Sequence, residues 1–358
     1  MKSEMPPGMV EVTRLTRAGR LVEATRLIQR LLQSTGEPNR ADDAAPVARR
    51  VLPTPSVTRS PSQQAADFRD SPEARARRRD DQLGAERRAD ATMGAPREAQ
   101  FITQTFTNRH GSRDYKLFLP NRDADDTLPL IVMLHGCRQS ADDFAAGTRM
   151  NQVAEACRCL VAYPIQPPSA NPTKCWNWFK AENQQRDGGE AALIADLTRH
   201  IAHNYAVDRK RIYVAGLSAG GAAAAILGTT YPDLYAAVGV HSGLACGAAS
   251  DLSSALAVMR QGPSGSINPP PRSSGFHGRA RLAPTIVFHG ARDRIVHPEN
   301  AAQIVAQLSL AVAAEVPPVT HRGHVSGGHT YSRTHHLDAS GRIVLEMWVV
   351  DGAGHAWS

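Results

Sequence analysis

Arg211-Ile212-Tyr213-Val214-Ala215-Gly216-Leu217-Ser218-Ala219-Gly220-Gly221 decides the fold. Residues of β-character run into Gly-x-Ser-x-Gly, and an alanine-rich, helix-forming run follows at once. A strand that turns sharply into a helix with serine at its apex is a nucleophile elbow. The glycines have a mechanical reason: the turn strains the serine backbone, and bulk at Gly216 or Gly220 would collide with the following helix. The motif gains force if an acid and a histidine follow it, each at the end of a strand.

The chain supplies such strands on both sides. Upstream, Phe101–Phe106 and Tyr115–Leu119 alternate and flank Asn108-Arg109-His110-Gly111, which predicts an antiparallel hairpin. Leu128–Leu134 is a continuous apolar run, as a strand buried on both faces requires. It ends in His135-Gly136-Cys137. Residues 142–158 read as one helix, 160–164 as a buried strand and 189–205 as a helix. Downstream, 236–243 and 285–290 read as strands, 251–259 and 300–308 as helices, and 342–350 as a last strand. The segment 262–280 is a loose Pro/Gly/Ser stretch. Strand alternating with helix predicts an α/β fold, a mostly parallel sheet with helices on both faces.

The first hundred residues differ. Phe68 is their one aromatic residue. Val12, Leu15, Val22, Leu27, Ile28 and Leu31 recur near helical spacing, so residues 1–35 are assigned an amphipathic helix. Residues 36–99 are polar, rich in arginine and punctuated by proline, the composition of a disordered linker. Residues 100–358 form the globular domain. Hydrophobic residues make up 42% of the 358, enough for a sizeable core there.

The formal charge of +7 owes much to N-terminal arginines such as Arg77-Arg78-Arg79. Acidic residues are interspersed with them, and no aromatic platform accompanies them. They are read as a solvated arm, with no nucleic-acid partner. No run is long and apolar enough to span a membrane, and the N-terminus shows no apolar segment of a secretory leader. Five cysteines are compatible with one or two disulfides or with a reduced, cytoplasmic chain.

Acyl transfer from an ester needs a nucleophile, a base, a group to orient the base and donors for the oxyanion. Ser218 is the candidate nucleophile. Asp293 follows the strand ending in His289-Gly290, and His355 follows the last strand. That order, serine then acid then histidine, is the one an α/β-hydrolase uses. Asp351 stands second as the acid, because it shares the loop of His355; Asp338, in a predicted hairpin turn, stands third. The oxyanion donors are assigned to the backbone N–H groups of Ala219 and Cys137. His135, His241 and His289 end predicted strands near the same edge and are supporting candidates. His321, His324, His329, His335 and His336 crowd one segment. Their spacing matches no helix-borne zinc motif and no Cys-x-x-Cys accompanies them, so no metal and no cofactor is assigned.

The stretch Leu134-His135-Gly136-Cys137-Arg138-Gln139-Ser140-Ala141-Asp142-Asp143-Phe144, continuing to Asn151, resembles the poly(3-hydroxybutyrate) depolymerase family of esterases. So do Cys175-Trp176-Asn177-Trp178-Phe179, Gly216–Gly221, His241-Ser242-Gly243 and Gly352-Ala353-Gly354-His355-Ala356-Trp357-Ser358. The likeness runs from about residue 101 to the end. It implies an α/β-hydrolase fold, a triad of Ser218, Asp293 and His355, and hydrolysis of short-chain polyhydroxyalkanoates or related esters. The neighbouring feruloyl and acetylxylan esterases give the alternative substrate class. A non-catalytic polymer- or granule-binding protein is the alternative of another kind. The resemblance further implies a Cys137–Cys175 disulfide, an extracellular location, and a segment beyond His355, generally a helix, that relatives possess; on that comparison the domain is truncated. Trp176 and Trp178 are assigned to an apolar wall for the acyl or polymer chain.

Overall fold

The computed structural model describes residues 98–123, 126–263, 282–312 and 317–358. The expected N-terminal helix and linker, and most of the 262–280 stretch, lie outside the described residues. Among the described residues ten strands form a single sheet: β1 (Gln100–Asn108), β2 (Gly111–Leu119), β3 (Leu128–Leu134), β4 (Leu160–Pro164), β5 (Val207–Leu217), β6 (Ala237–His241), β7 (Thr285–Gly290), β8 (Val319–His324), β9 (Thr330–Leu337) and β10 (Ile343–Val350). Their spatial order is β1-β2-β4-β3-β5-β6-β7-β10-β9-β8. The six strands from β4 to β10 are parallel, with antiparallel strands at either flank. The sheet is mostly parallel and mixed, consistent with an α/β-hydrolase fold.

The α-helices among the described residues are α1 (Ala141–Thr148), α2 (Met150–Cys157), α3 (Gly189–Asn204), α4 (Ala219–Thr230), α5 (Leu252–Gln261) and α6 (Glu299–Val312). Burial divides them between the two sheet faces. Leu130, Val132 and Leu134 of β3 face a core shared with α3, α4 and α6, whereas Met133 faces Phe144 of α1 and Ala154 of α2. This is the period of two expected of a strand covered on both sides. In α4 every residue but Ala225 is buried. Its small side chains let it lie close on the sheet; a Cβ at Gly228 would stand 2.5 Å from a Val238 methyl.

Two local expectations are corrected. The segment 142–158 is two helices, broken at Arg149, which takes φ 53° and caps the first helix with its N–H on the Ala146 carbonyl. No proline marks the break. Ser140 and Asp143 form a capping box that fixes the start of α1. The hairpin turn expected at Asp338 joins β9 to β10, whereas β8 has no counterpart among the expected strands: its Thr/His sequence lacks a core-facing stripe, and it is exposed along almost all its length.

The parallel strands all point their C-terminal ends to one edge. β3 leads there to Cys137, β5 to Ser218, β6 to Ser242, β7 to Asp293 and β10 to His355. The loops at that edge are where an α/β sheet places its site.

Candidate active site

Ser218 sits between β5 and α4 with φ 60° and ψ −121°. A non-glycine residue held there costs of order 1–3 kcal/mol. The strain is sustained by tight packing. The Ser218 N–H donates to the His241 carbonyl at 2.9 Å, and its own carbonyl accepts from Ala222 N–H at 2.9 Å. A Cβ at Gly216 would lie 2.3 Å from the Gly220 backbone, as expected of the strand–helix crossing. The expectation for Gly220 is revised: its Cβ would strike the Leu134 carbonyl of β3, 2.0 Å away, rather than the helix.

Asp293 and His355 meet although 62 residues separate them. His355 Nδ1 lies 2.7 Å from Asp293 Oδ2. The other carboxylate oxygen accepts the backbone N–H groups of Ile295 and Val296, each at 2.9 Å. His289 Nε2 approaches Oδ2 at 3.3 Å while donating to the Val296 carbonyl at 2.9 Å. Burial pushes the Asp293 carboxyl up, but the hydrogen bonds from His289, His355, Val296 and Ile295 overcome it and hold the group well below the usual carboxylate range. Asp293 is thus a fixed anion, and its contact with His355 Nδ1 places the other imidazole nitrogen, Nε2, on the far side of the ring. The loop of His355 crosses β7 where Gly290 makes room; a Cβ there would come within 2.5 Å of the Ala353 and Gly354 carbonyls. Asp351 and Asp338 lie elsewhere. Asp351 accepts from Thr330 Oγ1, and Asp338 closes the β9–β10 turn through Ser340 and Arg342.

On the other side of Ser218, Gly136 N–H is taken by Gln139 Oε1 at 2.7 Å. Cys137 N–H has no hydrogen-bond partner among the described residues, and Ala219 N–H is one of the unpaired donors that open a helix. Cys137 is bonded to Cys175, with Cα atoms 4.2 Å apart. The partner loop is anchored in turn: Glu190 accepts from Asn177 N–H and Asn177 Nδ2, both at 2.8 Å, and pairs with Arg113 at 3.2 Å. His135 is buried with Nδ1 at 2.7 Å from the Gly136 carbonyl and Nε2 accepting Gln166 N–H at 3.1 Å, which assigns its proton to Nδ1. Burial lowers its pKa.

The tryptophans are not where a substrate wall needs them. Trp176 is fully buried and donates its indole N–H to the His135 carbonyl at 3.1 Å; Trp178 is 5% exposed and packs edge-on to Phe179. Their aromatic area closes the core under the disulfide loop. The aromatic that does reach the edge is Trp357, half-buried between Phe144 and His241. It stands two residues after His355, a spacing that could have flagged it. The crowded histidines lie on β8, β9 and the turn between them, and among the described residues no group of three or more His, Cys, Asp or Glu is placed to hold a metal ion.

A mostly parallel sheet with a strained serine at one strand end and a carboxylate-held histidine at two others defines an α/β-hydrolase-like architecture. A family model described as Esterase PHB depolymerase matches residues 113–316, and the chain belongs to that family. Poly(3-hydroxyalkanoate) depolymerase C of Paucimonas lemoignei is 29% identical over 234 residues, 63% of this chain and 54% of that protein. Feruloyl esterase B of Thermothelomyces thermophilus is 27% identical over 209 residues, 56% of this chain and 70% of that protein. This chain therefore spans about half the length of the first relative. Among solved structures, acetyl xylan esterase from Aspergillus awamori superposes with a TM-score of 0.60 at 19% identity, covering 73% of this chain and 94% of that one, a likeness of fold.

Proposed function

We propose that this protein is a serine carboxylic ester hydrolase that cleaves poly(3-hydroxybutyrate), other short-chain polyhydroxyalkanoates or their oligomers. The observation that carries the reading is the strained Ser218 at the same edge as the His355–Asp293 pair at 2.7 Å. Ser218 Oγ attacks the ester carbonyl as His355 Nε2 takes its proton. Asp293 holds the imidazolium that forms. The N–H groups of Cys137 and Ala219 receive the oxyanion, each such donor being worth roughly 3–4 kcal/mol in the transition state. His355 then protonates the leaving alcohol, and water resolves the acyl-enzyme by the same steps reversed. Ser218 makes no capping hydrogen bond through its side chain, so the hydroxyl is not committed to the helix and turns to His355 as substrate excludes water.

The substrate class rests on the family and the depolymerase relative; the feruloyl esterase and acetylxylan esterase relatives support hydrolysis of a feruloyl ester or of acetylxylan as the second reading. An extracellular location is proposed on the family resemblance alone, with a cytoplasmic one as the alternative. Ser218→Ala is expected to abolish hydrolysis of a short-chain p-nitrophenyl ester, and retention of the parental rate overturns the mechanism. Release of hydroxybutyrate from polymer film, set against release from feruloylated or acetylated xylan, separates the two substrate readings.

A further inference from the structure

His241 is buried at the end of β6 and takes no part in the chemistry above. Its ring lies between Phe288, with centroids 6.0 Å apart and planes at 12°, and Trp357, at 5.3 Å and 26°. Ser358 approaches its Nε2 twice, from the backbone N–H at 3.1 Å and from Oγ at 2.9 Å. A backbone N–H can only donate. Nε2 is therefore the acceptor, and the ring proton belongs on Nδ1, 3.3 Å from Ser242 Oγ. The same residue accepts the Ser218 N–H through its carbonyl. One residue thus touches the nucleophile through its backbone and the segment just after the base through its side chain.

We propose that His241 is a positioning residue: an aromatic-clamped acceptor that latches the His355 loop onto the strand supporting Ser218. This deepens the esterase reading and rests on it. The latch requires an unprotonated Nε2. A proton there would face the Ser358 N–H, donor against donor. The groups facing the ring are consistent with that state, because burial, then the neighbouring His289 and His355, lower its pKa to about 4, with Asp293 opposing.

A double-mutant cycle tests this. His241→Phe keeps a flat buried ring and removes the acceptor. Ser358→Pro removes the N–H donor and lies at an exposed position, so it leaves a folded comparator even if His241→Phe folds poorly. Each single variant is expected to lower kcat about tenfold with KM within twofold, and the double variant no further, in kcat and in unfolding midpoint alike. His241→Gln, which keeps an acceptor, is expected to recover part of the loss. Additive losses, or a loss confined to KM, overturn the latch. Should the parent hydrolyse no ester, the esterase reading fails by itself, and the unfolding midpoints still decide whether His241 and Ser358 are coupled.

Discussion

The two sides of Ser218 are held by different forces. On the proposed oxyanion side the loop of Cys137 is tied covalently to Cys175, and behind it Trp176 is packed into the core while half-buried Glu190 holds Asn177. On the base side every contact is reversible: Arg292 N–H to the Ala353 carbonyl, His355 to Asp293, Ser358 to His241, and the rings of His241 and Trp357. Oxyanion donors must keep one geometry while charge develops and vanishes, which suits a braced loop. A base must exchange protons with two different oxygens in each cycle. The difference teaches that the two sides should fail under different treatments.

The largest effect is expected where the base meets its carboxylate. Asp293→Asn preserves shape but removes the charge that fixes the His355 tautomer. By the general behaviour of such triads kcat should fall about 10⁴-fold, and the unfolding midpoint should fall as well, because an amide nitrogen cannot accept the hydrogen bonds that the second carboxylate oxygen takes. A variant retaining more than a tenth of parental kcat would show that Asp293 does not orient the base.

Breaking the oxyanion side should cost stability as well as rate. The disulfide closes a separation of 38 residues, and chain-entropy reasoning assigns such a closure about 3–4 kcal/mol. Cys175→Ser, or treatment with a reductant, should lower the urea midpoint by that order while kcat also falls as Cys137 N–H loses its brace. If reduction leaves both unchanged, the brace is not what holds this loop.

Acid should act on the base side through His241, besides its action on buried His135 across the site, whose pKa burial also lowers. An unfolded histidine titrates near 6.5, whereas folded His241 titrates at about 4. Between those values the unfolded chain binds a proton that the folded chain refuses. The stability associated with His241 is therefore complete above about pH 6.5, declines as pH falls towards 4, and loses nothing more below that. The shift corresponds to about 3 kcal/mol. Urea midpoints measured from pH 7 to pH 4 should fall more steeply for the parent than for His241→Phe; parallel curves contradict the assignment.

The same contrast explains what could be read from the chain. The oxyanion side is local: Leu128–Leu134 is uniformly apolar because β3 is covered on both faces, and His135-Gly136-Cys137 follows it directly. The elbow is local too, because its glycines answer to backbone collisions within a few residues. The base side is made of distant partners. The order of Ser218, Asp293 and His355 pointed to strand ends, but nothing in the sequence pairs His241 with Trp357 and Ser358, which are more than a hundred positions away. Trp176 and Trp178 were misplaced for a related reason: an aromatic in a loop reads as a surface wall, and only the three-dimensional path shows that the loop dives into the core. Arg149 broke a helix without proline, two residues after Gly147, through a left-handed backbone conformation that an arginine does not announce.

The smallest effect belongs to the far antiparallel flank, and it tests whether the braced and latched regions are the whole site. Among the described residues β8 pairs only with β9, and its residues are nearly all exposed. His321 lies there with its ring 5.9 Å from that of His335. An exposed substitution away from caps, cavities and buried partners normally changes stability by no more than about 0.5 kcal/mol. His321→Gln should therefore leave the urea midpoint unchanged and kcat within twofold on both soluble esters and polymer film. A selective loss on film, with the soluble ester unaffected, would bring the histidine-rich flank into contact with the polymer and extend the site three strands beyond β7. Equal rates on both substrates would confine recognition to the edge where Cys137, Ser218 and His355 converge.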